Sequence, residues 1–334
     1  MPIEVLFLFR KPSPRYHSIE SLFETIEDGV SKHFSTGRLS LKHAGGSPIS
    51  LFLNILFYKK SNGNKPGLIH ITGDVQYMGI VTGERSILTI HDIQSALKGS
   101  FLKQLYIKMF WFWLPAWRVR YITVISDFTR KELTQLIPFA KNKIKVIPNP
   151  VNESFKYHPA KDFNEKSPLI LCMGTKENKN LERIVEAISY LSCRLHIIGP
   201  LSGDQKKVLR KFEIMFRNSV NLSHEEIVQA YQECDMLCFP STYEGFGMPI
   251  IEAQAVGRPV ITSDLGAMKE VAGDSACLVD PFDVFSIRTG INRVIQDQGY
   301  RENLIRKGLE NVKRFDAEVI SRSYLNLYQE ILES

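Results

Sequence analysis

The stretch FPSTYEGFGMPIIEAQAVG, residues 239–257, carries the most informative pattern in the chain. The apolar residues at 236–239 predict a strand, a loop rich in glycine and proline follows, and helical spacing begins at 250–256. Glu244 therefore lies in the loop and Glu252 in the first turns of the helix. Glycines allow backbone N–H groups to approach a ligand, and a helix N-terminus favours an anion. The stretch predicts a site that holds a nucleotide-linked group.

Length and composition indicate an ordinary globular protein of two domains. The chain has 334 residues, of which 44% are hydrophobic and 23% charged. Its five cysteines are scattered without zinc spacing or a paired framework, which favours a reducing cytoplasm. The first ten residues have no basic leader, and the longest apolar runs, at 51–58 and 109–117, are too short to span a bilayer. We expect a cytoplasmic protein that is soluble or peripheral to the membrane.

The net charge of +6 conceals a difference between the two halves. Residues 1–159 contain 21 Lys and Arg against 11 Asp and Glu, whereas residues 160–334 contain 21 against 25, so the halves carry +10 and −4. A basic first half suits nucleic acid, a phosphorylated substrate or an anionic membrane. Nucleic-acid binding would not explain the glutamate-containing loop, and we expect none.

Short apolar runs alternate with helical patterns, which predicts α/β layers with parallel sheets. We predict strands at 4–9, 67–71, 86–90, 121–125, 143–147, 169–173, 194–198, 236–239, 259–262 and 276–279. We predict helices at 19–31, 129–137, 180–191, 205–216, 225–233, 250–255 and 281–296, and one or two over 301–332. Prolines and polar residues at 148–167 predict a linker. The predicted domains are 1–155 and 160–315, with a C-terminal helix at about 316–334 that returns to the first domain.

The pair Glu244-GFGMPII-Glu252 resembles the E-x7-E signature of retaining family 4 glycosyltransferases. Further segments resemble the same family over roughly residues 68 to 330: TIHD (89–92), VISDFTRKEL (124–133), VIPNPV (146–151), GTKENKNLERIVEAI (174–188), 220–264 and KEVAGDSACLVDP (269–281). The resemblance implies the GT-B fold, in which two Rossmann-like domains face each other across a cleft. Without it, a solvated loop acid and a helix-end acid would explain the same two glutamates.

The resemblance also implies roles for the residues of this stretch. Glu252 would bind the ribose hydroxyls of the donor nucleotide, and Glu244 would contact the donor sugar near the reacting centre. The backbone of Phe246, Gly247 and Met248 would touch the sugar or the diphosphate. We expect no cofactor and no metal, with the nucleoside-diphosphate sugar as a substrate.

Lys179 follows Gly174 and Thr175 in a predicted strand-to-helix turn, where a lysine is usually a surface residue. By resemblance, this lysine is catalytic because it offers positive charge to the departing diphosphate, while Gly174 and Thr175 bind the donor. The family often has arginines at the positions of Thr175 and Asn178. Their absence here leaves the second phosphate contact unassigned.

The first half carries a second set of candidates. His91 follows a predicted strand, where a lone histidine usually packs or caps; the resemblance implies a contact to the donor sugar or the acceptor, and we include His91 among the catalytic residues. The family's Gly-Gly loop after the first strand is replaced by RKPSPRYHSIE (10–20). Arg10, Lys11 and Arg15 are candidate acceptor or phosphate ligands, although a solvated basic loop fits equally.

Residues 101–121 contain all three tryptophans and four basic residues. Aromatic anchors with a cationic flank are typical of a helix at a bilayer surface. A helix buried against the first sheet, with Pro115 ending or kinking it, is the alternative.

The resemblance implies a retaining, metal-independent glycosyltransferase, and the charge asymmetry and the aromatic stretch favour a function in cell-surface polysaccharide synthesis. Its expected partners are a nucleotide-sugar donor, a glycan or lipid-linked acceptor and an anionic membrane surface. A sugar-nucleotide epimerase, or a catalytically idle protein of the same fold that binds carbohydrate or sugar nucleotide, remains the alternative.

Overall fold

A computed structural model of the protein describes residues 4–12, 18–61, 67–97, 99–159 and 163–333. The chain divides into two units, one formed by Met1–Pro150 with Ala317–Ser334 and the other by Val151–Asp316. Each unit contains a six-stranded sheet in which all neighbouring strands run parallel. The predicted α/β class is confirmed.

The first unit has the strand order β2-β1-β3-β4-β5-β6. Its strands are β1 (Val5–Phe9), β2 (Thr36–Ser40), β3 (Leu68–Ile71), β4 (Ser86–Ile90), β5 (Tyr121–Val124) and β6 (Ile144–Val146). Its helices are α1 (Ser18–Val30), α2 (Pro48–Ser61), α3 (Gly79–Thr82), α4 (Gln94–Leu97), α5 (Phe101–Ile107), α6 (Leu114–Arg118) and α7 (Asp127–Leu136). A π-helical segment, Lys108–Trp113, joins α5 to α6, and 3-10 turns lie at Gln76–Met78, Gly83–Arg85 and Pro138–Lys143.

The second unit has the order β12-β11-β10-β7-β8-β9. Its strands are β7 (Leu169–Met173), β8 (Arg194–Ile198), β9 (Met215–Ser219), β10 (Met236–Phe239), β11 (Val260–Ser263) and β12 (Cys277–Val279). Its helices are α8 (Leu181–Ile188), α9 (Gly203–Lys211), α10 (His224–Glu233), α11 (Met248–Val256), α12 (Gly266–Ala272), α13 (Val284–Gln296) and α14 (Gln298–Asn311), with 3-10 turns at Glu177–Lys179 and Val312–Phe315.

The last helix, α15 (Ala317–Leu332), packs on the first unit. Alternate residues of β1 enter two different apolar clusters, which lie on opposite faces of the sheet because strand side chains alternate. One cluster contains Phe7 together with Tyr324 and Tyr328 of α15. The hydroxyl of Tyr328 lies 2.5 Å from Nδ1 of His70 on β3. Burial lowers the pKa of His70 to about 3, so the imidazole is neutral in this core.

Two strands depart from the sequence prediction, and both are sheet edges. No strand was predicted at β2, and the predicted helix 205–216 ends at Lys211, with its last two residues in β9. Neither strand shows the apolar run used to recognise the others, because β2 (TGRLS) has no buried residue and β9 (MFRNS) is largely exposed. An edge strand is covered less than a central one, so its sequence is free to be polar.

The aromatic stretch also differs from a simple helix. The π-helical segment ends just before Pro115, which lacks the N–H that a continuous α-helix requires and would clash with the preceding turn. Phe112 is fully buried, whereas Trp117 is 74% exposed. The stretch is therefore both a core element and a surface element.

The segment after Pro150 packs in the second unit. Phe155 is buried, and its ring lies 5.5 Å from the ring of Tyr231 and 5.6 Å from that of His224. Residues 151–155, which the sequence placed in the first domain, accordingly belong to the second unit. Among the described residues, no helix combines the length and apolarity needed to cross a bilayer.

Candidate donor-sugar site

The order of the second sheet defines where a ligand is expected. Its chain order starts at β7, proceeds outward to β8 and β9, and returns to the other side of β7 with β10. This is the doubly wound order, and the direction of winding reverses between β7 and β10. Ligands of open α/β sheets bind at the carboxyl ends of the strands at such a reversal. The loops that leave these two strands are 174–180 and 240–247, which contain the residues predicted from sequence.

Lys179 and Glu244 are brought together by these two loops. The Nζ of Lys179 donates to Oε1 of Glu244 over 2.7 Å, and their side chains are only 19% and 16% exposed. The ammonium also lies 4.6 Å from the centre of the Phe239 ring. A lysine ammonium has three N–H donors, so this pair leaves donor capacity for an anion. The arrangement places a cation and a carboxylate at the winding reversal.

Two asparagines fix the loops, and the sequence analysis did not identify this function. The amide of Asn178 donates to Oε1 of Glu244 (3.1 Å) and to the carbonyl of Tyr243 (2.9 Å). The buried amide of Asn180 donates to the carbonyls of Pro240 (3.0 Å) and Pro281 (2.7 Å). The backbone of Asn180 is left-handed, at φ 63°. Asparagine is enriched in that conformation, so the residue type itself is the sequence signal that could have indicated this position.

Replacing Asn180 by alanine should lower the free energy of unfolding by about 2–4 kcal/mol, because it removes two buried hydrogen bonds and strains a left-handed backbone. Asn180→Gly loses the same hydrogen bonds without that strain, and should cost less. Denaturant titration of both variants measures the difference. Equal losses would show that the backbone conformation carries no cost.

Gly174 and Thr175 border the lysine. Gly174 has φ 85°, and a Cβ there would lie 3.1 Å from Cε of Lys179, so a side chain would crowd the lysine. The hydroxyl of Thr175 donates to the carbonyl of Pro200 over 2.6 Å, and its own carbonyl accepts from Gln205. The Thr175 side chain is thus engaged with the loop after β8.

Glu252 lies on α11 and is held by a neighbouring helix. The hydroxyl of Tyr231, a fully buried residue of α10, donates to Oε2 of Glu252 over 2.6 Å. Burial raises the pKa of Glu252 to about 7, although the Tyr231 hydrogen bond and the charge of Lys179 act in the opposite direction. Tyr231 was missed by the sequence analysis, because its contact depends on how α10 packs against α11.

The loop before α11 contains Phe246 and Gly247, whose backbone contact to the donor stays a prediction. The Phe246 side chain is buried and lies 5.5 Å from the Phe315 ring in an edge-on contact, so it points into the unit. Gly247 caps the helix with a left-handed backbone, φ 115°, and Met248 is its first residue. The N-terminal end of α11 carries partial positive charge, which suits a phosphate.

His91 lies in the first unit, directly after β4. Its Nε2 is 2.8 Å from the carbonyl of Thr72, which makes this nitrogen the N–H donor and leaves Nδ1 as the acceptor. A Cβ on Gly73 would lie 2.6 Å from the imidazole, so a glycine is required beside it. Burial lowers the pKa of His91, so the neutral form is favoured. Gly73 follows β3 and His91 follows β4. The winding of the first sheet reverses between β1 and β3, so Gly73 lies in a loop at that reversal and His91 lies in the next loop along the sheet.

In the predicted basic loop, Arg10 is paired with carboxylates. The guanidinium of Arg10 makes two hydrogen bonds to Glu20, of 2.9 and 3.0 Å, and its third nitrogen pairs with Asp74. The proposed phosphate contact of Arg10 therefore competes with two carboxylates. Lys11 is exposed, and Arg15 lies outside the described residues.

Comparison with known proteins identifies the class. The structure of Alr3699/HepE from Anabaena, in complex with UDP and glucose, is similar with a TM-score of 0.79 at 15% identity, over 97% of this chain and 99% of that one. The fold is that of the GT-B glycosyltransferases, with two Rossmann-like units. The model described as Glycosyl transferases group 1 matches residues 153–311, and the model described as Glycosyltransferase Family 4 matches residues 6–155. The chain belongs to the family 4 glycosyltransferases.

Two mannosyltransferases are similar in sequence to part of the chain. The O-antigen chain mannosyltransferase B of Escherichia coli is 28% identical over 236 residues, which are 62% of this chain and 60% of that protein. The MMP alpha-(1->4)-mannosyltransferase of Mycolicibacterium hassiacum is 34% identical over 154 residues, 43% of this chain and 36% of that protein. The matched region thus covers 60% or less of the length of these relatives.

Proposed function

We propose that the protein is a retaining glycosyltransferase that moves a sugar from a nucleoside-diphosphate sugar to a glycan or lipid-linked acceptor. The observation that carries the proposal is the Lys179–Glu244 pair at the winding reversal of the second sheet. Family membership and the mannosyltransferase relatives support transfer of a hexosyl group in polysaccharide synthesis.

The donor nucleotide is held by groups of the second unit. The carboxylate of Glu252 accepts hydrogen bonds from the ribose hydroxyls, and the N-terminal end of α11 receives the diphosphate. Glu244 contacts the donor sugar near its anomeric carbon. Lys179 offers its remaining N–H donors to the departing diphosphate. Gly174 and Thr175 approach the donor phosphates through their backbone, because the Thr175 hydroxyl is already engaged.

The reaction proceeds on one face of the sugar. The acceptor hydroxyl forms a bond to the anomeric carbon while the bond from that carbon to the diphosphate oxygen breaks. The acceptor proton passes to the departing diphosphate, which leaves with the bonding electron pair. Lys179 stabilises the charge that develops on that oxygen, without a metal ion. His91, in its neutral form, hydrogen-bonds the sugar or the acceptor hydroxyl.

The function is tested by following nucleoside-diphosphate release from UDP-, GDP- and ADP-linked hexoses, with and without an oligosaccharide or polyprenyl-diphosphate-sugar acceptor. We expect release that depends on the acceptor and persists in EDTA. NMR of the product should show the anomeric configuration of the donor. An inverted product would overturn retention, and loss of turnover in EDTA would overturn metal independence.

Donor affinity should rise with pH through about 7, because the raised pKa of Glu252 leaves it protonated below that pH and ionised above it. An ionised carboxylate accepts hydrogen bonds at both oxygens, whereas the protonated form loses part of that capacity. Tyr231→Phe removes a hydrogen bond that favours the charged form, so the midpoint should move to higher pH. Calorimetric titration with the donor at a series of pH values measures this midpoint. Tyr190→Phe, which alters an exposed tyrosine, is the control. An unchanged midpoint in Tyr231→Phe would contradict the account.

The protein is further proposed to act in the cytoplasm, at the inner face of the membrane. The basic first half and the exposed aromatic residues of 101–121 support this placement.

A further inference from the structure

Helix α2 exposes an apolar stripe that folding does not bury. Ile49, Phe52, Leu53 and Leu56 are 72%, 61%, 37% and 38% exposed. Their spacing of three and four residues puts them on one face of the helix. Positions 51, 54 and 58 of the same helix are buried, so the inner face is already occupied by the core. Ile49 and Phe52 are therefore mostly outside the packed core, and Leu53 and Leu56 are only partly covered.

A second exposed apolar row lies on α5 and the π-helical segment after it. Phe101, Leu102, Leu105 and Met109 are 79%, 76%, 37% and 37% exposed. We call these four residues and the four of α2 the two-helix apolar surface. Large contiguous apolar patches on a folded protein mark contacts with other molecules or with membranes.

Contacts within the first unit link the two elements. The hydroxyl of Tyr106 donates to the carbonyl of Gly46, just before α2, over 3.0 Å. A Cβ on Gly46 would lie 3.0 Å from the indole of Trp111, which packs on Tyr77 at a centroid distance of 5.3 Å. Tyr77 in turn accepts a hydrogen bond from Asn54 of α2. The buried Tyr77 is therefore contacted from both elements, through Asn54 of α2 and through Trp111 of the π-helical segment.

The two chain segments that carry the apolar rows contain basic residues and no acidic ones. Residues 41–61 and 99–121 contain seven Lys and Arg and no Asp or Glu. These are Lys42, Lys59, Lys60, Lys103, Lys108, Arg118 and Arg120. Segments that combine exposed Phe, Leu and Ile with basic residues and no acidic ones are complementary to a surface that offers both negative charge and hydrocarbon, which is an anionic lipid bilayer.

We propose that the two-helix apolar surface docks the protein on an anionic bilayer, with Phe52 and Leu56 of α2 inserted among the lipids beside the row of α5. The proposal extends the membrane placement above to a second helix and names the inserted residues. It rests on that placement but not on the donor chemistry.

The test is cosedimentation of the full chain with vesicles of phosphatidylcholine alone and of phosphatidylcholine mixed with phosphatidylglycerol. We expect binding to the mixed vesicles that weakens with added salt, and little binding to phosphatidylcholine alone. The double variant Phe52→Ser, Leu56→Ser should reduce partitioning by at least about tenfold. Its control is Phe285→Ser, Phe216→Ser, which removes side chains of similar exposure, 69% and 39%, from the second unit.

A second pair of variants tests the charge and does not alter the apolar rows. Lys59→Gln, Lys60→Gln should weaken binding by about fivefold for each lysine, whereas Lys166→Gln, Lys206→Gln, with the same change in net charge, should leave it unchanged. Both pairs remove exposed side chains, and thermal unfolding confirms the fold of each variant.

Three results would overturn the proposal. These are failure to bind either vesicle, equal losses in the variants and their controls, and a dimer in sedimentation velocity that Phe52→Ser, Leu56→Ser dissociates. Donor titration of the same samples distinguishes failure of the membrane-docking proposal from failure of the proposed function, because vesicle binding and nucleotide-sugar binding use different residues.

Discussion

Lys179→Ala is expected to lower turnover by roughly 10²-fold or more. The ammonium lies at the winding reversal of the second sheet, 2.7 Å from Glu244, where its charge stabilises the departing diphosphate. Because this interaction strengthens as the bond to the diphosphate breaks, its loss should reduce kcat rather than donor affinity alone. Nucleoside-diphosphate release under saturating donor measures the effect.

The matched control is Lys176→Ala, which removes an exposed lysine three residues earlier. Lys179→Ala also leaves Glu244 without its cation, so Glu244→Gln and the double variant Lys179→Ala, Glu244→Gln are measured beside it to separate that effect from loss of the leaving-group contact. We expect the double variant to remain slow. Turnover close to that of the wild type in Lys179→Ala would remove the lysine from the mechanism.

Glu252→Ala is expected to weaken donor binding by about 10- to 100-fold, because hydrogen bonds to a charged group contribute about 1.5–3 kcal/mol. The effect should appear in the dissociation constant of the donor. It should be smaller for the nucleoside-free sugar phosphate, which lacks the ribose. Calorimetric titration at a pH well above 7, where Glu252 is ionised, gives the full difference.

Glu302→Ala, at an exposed glutamate of α14, controls for loss of one negative charge. Thermal unfolding of Glu252→Ala is needed beside it, because the variant also leaves the buried Tyr231 hydroxyl without its acceptor. Unchanged affinity in a folded Glu252→Ala protein would disprove the ribose contact.

The central strands could be predicted from sequence because parallel strands covered on both faces are continuous apolar runs. β4, β7, β8 and β10 have the predicted bounds. The edge strands β2 and β9 could not be predicted in this way, because strands without buried residues can have polar sequences. Strand order is set by contacts between distant segments, so the winding reversal that locates the site became visible only in the folded chain.

The candidate site, too, could be predicted only in part from the sequence. The loop with Glu244 and the helix with Glu252 were recognisable from local glycine, proline and helix patterns and from the family signature. The contacts that orient these carboxylates were not, because Tyr231 and Asn178 reach them from other elements. The sequence leaves the basic residues after β1 as acceptor or phosphate ligands or as a solvated loop, because the carboxylates that engage Arg10 come from α1 and from the loop after β3.

We propose that the second unit binds a nucleoside-diphosphate sugar. Calorimetric titration of the wild-type chain with UDP-, GDP- and ADP-linked hexoses tests it most directly. We expect saturable binding of one nucleotide class, weakened in Glu252→Ala and at pH below about 7. Absence of binding for all three classes, or binding that Glu252→Ala leaves unchanged, would contradict it.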